Sequence, residues 1–366
     1  AFDCARRGLS VLLVEKRSFP RWKVCGCCFN ANAMAALAAV GLPELIRDQG
    51  GVPLDQVRLG LNGRTLNLGL PEGWALSRER FDQALVHAAE ASGATVRFQT
   101  GAVLEETSAE ERVVRLRPSG GAPTERIRAR VVLVAAGLQH QVLASGDRDT
   151  TRIDPESRIG AGCLINDDEV AYAGGIIHMA IARCGYVGLV RREDGALNLA
   201  AAFDPSAVKS AGGVAHAADQ VLRRAGFVVP RALETSRWQL TPALTRRAGL
   251  SAGDRFLLLG DASGYVEPFT GEGMAWALAA GGAVAPFVEE AQGCWSGDLE
   301  QRWQRRLEEM TVSRQRLCRL LSMLLRQPSA TAAVFRLGCL WPAIPERVIT
   351  GLNRVVPHTS CADPCH

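Results

Sequence analysis

Residues 256–281 read FLLLGDASGYVEPFTGEGMAWALAAG. The apolar run through Leu259 predicts a buried strand over Arg255–Leu259 that stops at Gly260-Asp261. In open α/β sheets, ligands bind beyond the carboxyl ends of the strands. Asp261 would reach that edge with a carboxylate able to accept hydrogen bonds from a polyol chain. Gly271 and Gly273 would permit close backbone approach to a flat ring. A helix from about Glu272 then turns its free N–H groups and positive dipole end toward whatever docks there.

Working outward, the first 20 residues read AFDCARRGLSVLLVEKRSFP. Ala1–Arg7 reads as the last turns of a helix stopped by Gly8. Val11–Val14 reads as a buried parallel strand ending at Glu15. An acidic residue at the end of the second strand of a βαβ unit is where such folds hold ribose hydroxyls. The first strand and its G-x-G-x-x-G loop are expected upstream of Ala1, so the chain reads as a fragment. A non-catalytic binding module stays open on the same ground, because that loop cradles a pyrophosphate.

Between these ends, Ala31–Val40 predicts a helix stopped by Gly41. Residues 52–70 predict a hairpin around Asn62-Gly63. Ser77 caps a helix over Arg78–Ser92. Strands follow at Thr95–Thr100 and Val103, then at 111–130 with a turn at Ser119-Gly120-Gly121, then at Val131–Ala135. Residues 150–245 mix short strands with one helix near 214–225. A long amphipathic helix covers 298–327, another apolar helix lies near 330–340, and a proline-punctuated end follows. This gives an α/β architecture in which a Rossmann-like domain (1–51, 71–150 and 246–297) is interrupted by a β-sheet substrate domain (52–70 and 151–245). A helical C-terminus (298–366) completes it.

The chain has 366 residues, 47% hydrophobic and 22% charged, with a net charge of +4. These values exclude a disordered chain and give no electrostatic footprint for nucleic acid. Only Lys16, Lys23 and Lys209 are lysines, so the basic residues are nearly all arginine. The 11 cysteines are odd in number and lack a framework spacing. Reduced thiols in apolar company (Cys163, Cys318, Cys339) and a cytoplasmic location are expected. Cys25, Cys27 and Cys28 do not suggest a metal site, since no second Cys/His cluster accompanies them. His178 reads as a core histidine, and His87 lies on the outer face of its helix. Residues 301–366 carry ten arginines and four acidic residues. Either a solvated arginine face or contact with a membrane surface explains that excess.

Gly260-Asp261, Pro268 and Gly271-Glu272-Gly273 together resemble the GD…P…GEG pattern of the flavoprotein hydroxylase and geranylgeranyl reductase superfamily. Other stretches agree in order. Glu15 matches the acidic residue after the second strand. Arg78, Phe81, Asp82 and Leu85 match an R-x-x-F-D-x-x-L helix. Pro20, Lys23, Cys25 and Gly26 match the P-x-x-K-x-C-G-G-type segment of the reductase branch. The resemblance covers about residues 1–290. It implies FAD as cofactor, with Glu15 at the adenosine ribose and Ala102 on the adenine side. Arg78 would lie near the pyrophosphate or ribityl region, and Asp261 at the ribityl chain. Gly273 and Met274 would present backbone to the isoalloxazine, and Cys25 and Gly26 would sit beside it. Reduced flavin carries negative charge near N1, which suits the helix N-terminus.

The sequence departs from the family at three places. Cys27 and Cys28 stand where the family has glycine. Ala136-Gly137 replaces an Asp-Gly motif associated with NAD(P)H, so a transient NAD(P)H reductant is implied less directly. The Trp-x-Phe-Pro element of the geranylgeranyl reductases and the Trp-x-Trp-x-Ile-Pro element of the halogenases are both missing. The resemblance implies oxidoreduction of a hydrophobic small molecule of isoprenoid or polyketide type. Cys25-Gly26 favours hydride transfer to a C=C bond, with Cys25 a candidate catalytic thiol. The alternative is hydroxylation of an aromatic or polyketide substrate through a C4a-hydroperoxide.

Overall fold

Two parallel strand pairs carry the chain ends that matter for binding. The computed structural model describes residues 1–138, 142–143, 151–166, 172–267, 269 and 271–352. Leu12–Val14 pairs in parallel with Thr95–Arg97, and Val132–Val134 pairs in parallel with Phe256–Leu258. The two pairs belong to separate hydrogen-bonded sheets. Their side chains nevertheless share one core, in which Leu12, Val14, Val134, Phe256 and Leu258 meet Leu104 and Leu116. The last two come from an antiparallel meander of Thr100–Thr107, Arg112–Pro118 and Glu125–Ala129.

The helix Arg78–Ala91 begins where Ser77 Oγ accepts a hydrogen bond from the Arg80 amide at 3.3 Å. Its buried Phe81 packs on Phe29, with ring centroids 4.6 Å apart. Gly8 follows the short helix Phe2–Arg6 with φ +82°, the left-handed stop expected there.

A seven-stranded sheet forms the other large unit. Its order is Gln239–Ala243, Ile159–Ile165, Leu197–Phe203, Gly185–Arg191, Ile176–Ala182, Gln56–Leu61 and Arg64–Gly69. All neighbours are antiparallel except Ile176–Ala182 with Gln56–Leu61. The last hairpin turns at Asn62 and Gly63, both with positive φ, as a two-residue type I′ turn requires. Side chains alternate strictly along the strands. Leu197, Leu199, Val187 and Leu189 face the helix Val214–Ala225. Tyr186, Met179, Ile181 and Ala202 face the opposite way, toward Tyr265, Phe269, Leu325 and Phe335.

The C-terminal part consists of Gly297–Leu325, Pro328–Leu340 and Ala343–Leu352. The third helix lies where the sequence suggested a proline-punctuated end. Pro345 falls in its first turn, where the missing N–H costs nothing. Trp303 of the long helix is fully buried and donates its indole N–H to the Leu258 carbonyl at 3.2 Å. Nine described cysteines are free thiols. Cys163 and Cys318 are buried as expected, but Cys339 is exposed on the outer side of its helix. Among the described residues no helix is long and apolar enough to cross a membrane, and no group of side chains could hold a metal ion.

Candidate flavin site

Phe256–Leu258 ends at a short 3-10 turn, Gly260–Ser263, which carries Asp261. Gly260 holds φ +56° there, and a Cβ at this position would already lie 3.3 Å from Ala277. Asp261 makes no side-chain hydrogen bond to a described residue. Crowding by protein raises its carboxyl to about 6, against the pull of Arg78. The helix Gly273–Ala283 starts beside it. A Cβ at Gly273 would lie 3.1 Å from the Tyr265 ring, so a larger residue would push the phenol aside.

The second edge of the site comes from residues 20–28. This segment crosses the seven-stranded sheet where Gly162 leaves room. A Cβ at Gly162 would stand 3.3 Å from both Trp22 and Val24. Asn198, on the face opposite Leu197 and Leu199, donates its amide to the Cys25 carbonyl at 2.8 Å. Cys25 Sγ lies 3.8 Å from Met274 Sδ. The chain thereby brings Cys25 and Met274 together across 249 residues.

An ion network fixes this edge to the Arg78 helix. Asp82 receives Arg78 through two bonds of 2.9 and 3.0 Å and Lys23 Nζ at 2.5 Å. Burial alone would raise the Asp82 carboxyl, but Arg78 and Lys23 outweigh it and hold it below its ordinary value. Burial and the neighbouring Arg78 lower the Lys23 amine. The Cys25 thiol is drawn down to about 6, chiefly by the neighbouring Cys27 and then, against burial, by Arg78. Cys25 is therefore biased toward the thiolate.

Glu15 and Ala102 form a different group. Glu15 lies just past Leu12–Val14, where Oε1 accepts the Arg17 amide at 2.9 Å and stands 3.7 Å from Arg21. Its carbonyl accepts the Thr100 amide at 3.0 Å, which ties it to the strand carrying Ala102. Ala102 packs against the core shared with Leu12 and Val14. Pro268 lies outside the described residues. His178 is a core histidine with ring contacts to Tyr172 and Phe227 at 4.8 and 5.9 Å. Burial, then Arg58, lowers it to about 4, so it is neutral. His87 is exposed.

Sequence reasoning assigned no site role to Lys23, Asp82, Tyr265 or Asn198. The spacing of Arg78 and Asp82 by four residues was the available signal for their pairing. Nothing local announces Asn198, whose approach depends on tertiary packing.

These features suit a flavin cofactor, and residues 4–153 match the FAD binding domain family. Among particular relatives, the chain is 23% identical over 295 residues to conditioned medium factor receptor 1 of Dictyostelium discoideum, covering 75% of this chain. The chain spans only 57% of that relative's length. It is 25% identical over 349 residues to menaquinone reductase of Mycobacterium tuberculosis, covering 88% of this chain and 80% of the relative. The flavin-dependent brominase Bmp2 superposes with a TM-score of 0.73 at 16% identity, over 96% of this chain and 89% of its own. The probable FAD-dependent monooxygenase pqsL of Pseudomonas aeruginosa gives 0.69 at 18% identity, over 92% and 95%. At such identities the structural likeness establishes the fold.

The residues present fit a flavin. Cβ atoms at Gly26 and Gly271 would meet nothing within 4 Å, so the backbone is open to a ring at both places. Asp261 offers an acceptor without a side-chain partner among the described residues, and Arg78 offers a cation.

Proposed function

We propose that the protein is an FAD-dependent monooxygenase-type enzyme acting on a small hydrophobic molecule. The observation that carries this reading is the site itself: Asp261 and the open backbone at Gly26 and Gly271 stand with the apolar wall of Met179 and Tyr186 in a fold shared with a probable FAD-dependent monooxygenase and a flavin-dependent brominase. Reduction of a C=C bond needs an acid to protonate carbon, and the thiol that sequence reasoning offered for that part is drawn toward ionisation by Cys27 and Arg78. Bound flavin would supply two-electron chemistry and, once reduced, reaction with O2.

The chain's own residues supply binding and shape. Asp261 accepts hydrogen bonds from the ribityl hydroxyls, while Gly26 and Gly271 leave room for the ring. Met274 lies on the same side as Cys25. Glu15 and Ala102 receive the adenosine end, and Arg78 stays near the phosphates while paired to Asp82. The apolar wall of Met179, Tyr186 and Phe269 would take the substrate. Tyr186 and Phe269 meet edge to face at 5.1 Å. Residues 52–70 and 151–245 act together as the substrate domain, against a cofactor domain of 1–51, 71–150 and 246–297.

The alternative is reduction of a quinone- or isoprenoid-like substrate, favoured by the relative named menaquinone reductase, which matches along 80% of its length. Tyr265 would then be the acid, since burial, followed by Asp261, keeps its phenol protonated. Turnover under strict anaerobiosis decides between the two. A monooxygenase stops without O2, and continued product formation would install the reductase.

The outer side of the last helices supports a peripheral location. Leu320, Met323, Val334, Leu337, Leu340, Trp341, Ile344 and Val348 are all exposed there, with arginines 316, 319, 336 and 347 among them. An anionic bilayer surface complements that combination. Co-sedimentation with vesicles containing anionic phospholipid, but not with neutral ones, is expected. Equal recovery in both pellets and supernatants would remove the proposal.

A further inference from the structure

Cys25 and Cys27 flank Gly26 and pack into one cluster. The Cys27 amide also donates to Cys25 Sγ at 3.4 Å. Cys27 is completely buried, yet its φ is +57°. That left-handed conformation is strained for an L residue and is usually left to glycine. It turns the chain so that the Cys27 amide meets Cys25 Sγ and both side chains pack in one cluster. Strain of this kind persists where surrounding structure enforces it, typically at functional sites.

The three neighbouring thiols have different states. Cys27 and Arg78 lower Cys25. Cys25, with burial adding to the effect, raises Cys27, so of the two Cys25 is the readier nucleophile. Burial pushes Cys28 up to about 12, and its thiol donates to the Gly26 carbonyl at 3.1 Å. One nucleophilic sulfur, one adjacent thiol and one excluded thiol is the arrangement that lets a single disulfide form. Cys25 also faces Met274, at the start of the helix placed against the flavin.

We propose that Cys25 and Cys27 are a redox-active dithiol/disulfide pair that exchanges two electrons with the flavin. Closing the S–S bond takes two electrons from the sulfurs and releases the Cys27 proton. Oxidised FAD is the oxidant; it takes those two electrons with two protons, one from Cys27 and one from solvent, to become reduced FAD. In the reverse direction reduced FAD opens the disulfide. The pair thus stores a second electron pair beside the cofactor. This rests on the placement of FAD proposed above.

The FAD-loaded chain, first oxidised with diamide, should consume about four electrons per flavin in anaerobic dithionite titration. Cys27→Ser should consume about two, and Cys28→Ser about four. In parallel, the tryptic peptide 24–47 of diamide-treated wild type contains all three thiols. After denaturation only Cys28 should alkylate, and the peptide should be lighter by two hydrogens. A protein that binds FAD but consumes two electrons, with all three thiols alkylated, overturns the dithiol and leaves the flavin site standing. A Cys25–Cys28 link overturns the pairing. A chain that binds no FAD overturns both readings. The wild-type alkylation remains decisive for disulfide closure even if Cys27→Ser fails to fold.

Discussion

On one wall of the candidate site, Lys23, Cys25, Arg78, Asp82 and Asp261 crowd together and shift one another's protonation. On the other, the seven-stranded sheet presents Val57, Leu68, Met179, Ile181, Tyr186 and Ala202 with hardly a charge among them. The polar wall has groups whose preferred partners are incomplete within the protein, as the side chain of Asp261 shows. The sheet is packed with apolar side chains on both faces. The first wall is therefore where ligand affinity should reside, and the second is where stability and substrate shape should reside. Substitutions on the two walls should separate these properties.

The largest separation is expected from Asp261→Ala. Losing two charge-assisted hydrogen bonds to a polyol costs about 3–5 kcal/mol, a fall of roughly a hundredfold or more in FAD affinity. Flavin content after gel filtration and Kd by flavin fluorescence measure it; an unchanged Kd breaks the assignment. Leu199→Ala, on the helix-facing side of the sheet, should do the opposite. A fully buried leucine there should cost about 2–5 kcal/mol in denaturant unfolding, with FAD affinity of the folded protein retained.

Asp82→Asn is a smaller test. It leaves Lys23 and Arg78 facing each other without the carboxylate. Because both cations are partly open to water, the expected loss is about 1–2 kcal/mol of stability. The Cys25 thiolate should gain attraction from the freed Arg78, so its alkylation should titrate lower than in wild type. No change in that titration would separate Asp82 from the thiol.

The subtlest difference is in pH dependence. Cys25 lies below its ordinary value of 9.0, so its ionisation favours the folded state. That contribution is complete above pH 9 and is lost as pH falls through about 6. Asp261 runs the other way. Its carboxyl is raised from 3.8 to about 6, so its stabilising contribution is present below pH 3.8 and is lost as pH rises through about 6. In flavin-free protein, Cys25→Ser should weaken the decline in stability between pH 9 and 6. Iodoacetamide should label Cys25 half-maximally near pH 6, while Cys28 stays inert. Identical profiles for wild type and Cys25→Ser would remove the thiolate.

Local signals made the polar wall partly legible in the sequence. A strand running into Gly260-Asp261, a serine cap before Arg78 and a four-residue Arg78–Asp82 spacing all depend on neighbours in the chain. The Asn62-Gly63 turn was legible for the same reason. Asn198 on Cys25, Gly162 beneath Trp22 and Trp303 on Leu258 depend on contacts across 45 to 173 residues, which no local pattern encodes. Cys25-Gly26 alone favoured hydride transfer with a proton-donating thiol, while the state of that thiol also depends on Cys27 and on Arg78 from another helix.

The long helix Gly297–Leu325 braces the Asp261 loop from behind. Trp303 holds the Leu258 carbonyl, Arg314 pairs with Glu272 at the next helix start, and Cys318 packs with Val266 and Trp276. During synthesis, these braces leave the ribosome roughly 40 to 60 residues after Asp261, several seconds later at ordinary elongation rates. The Asp261 loop therefore gains its brace only late in synthesis. A ribosome stalled before Trp303 would release a chain that carries the binding motif but lacks the brace behind it.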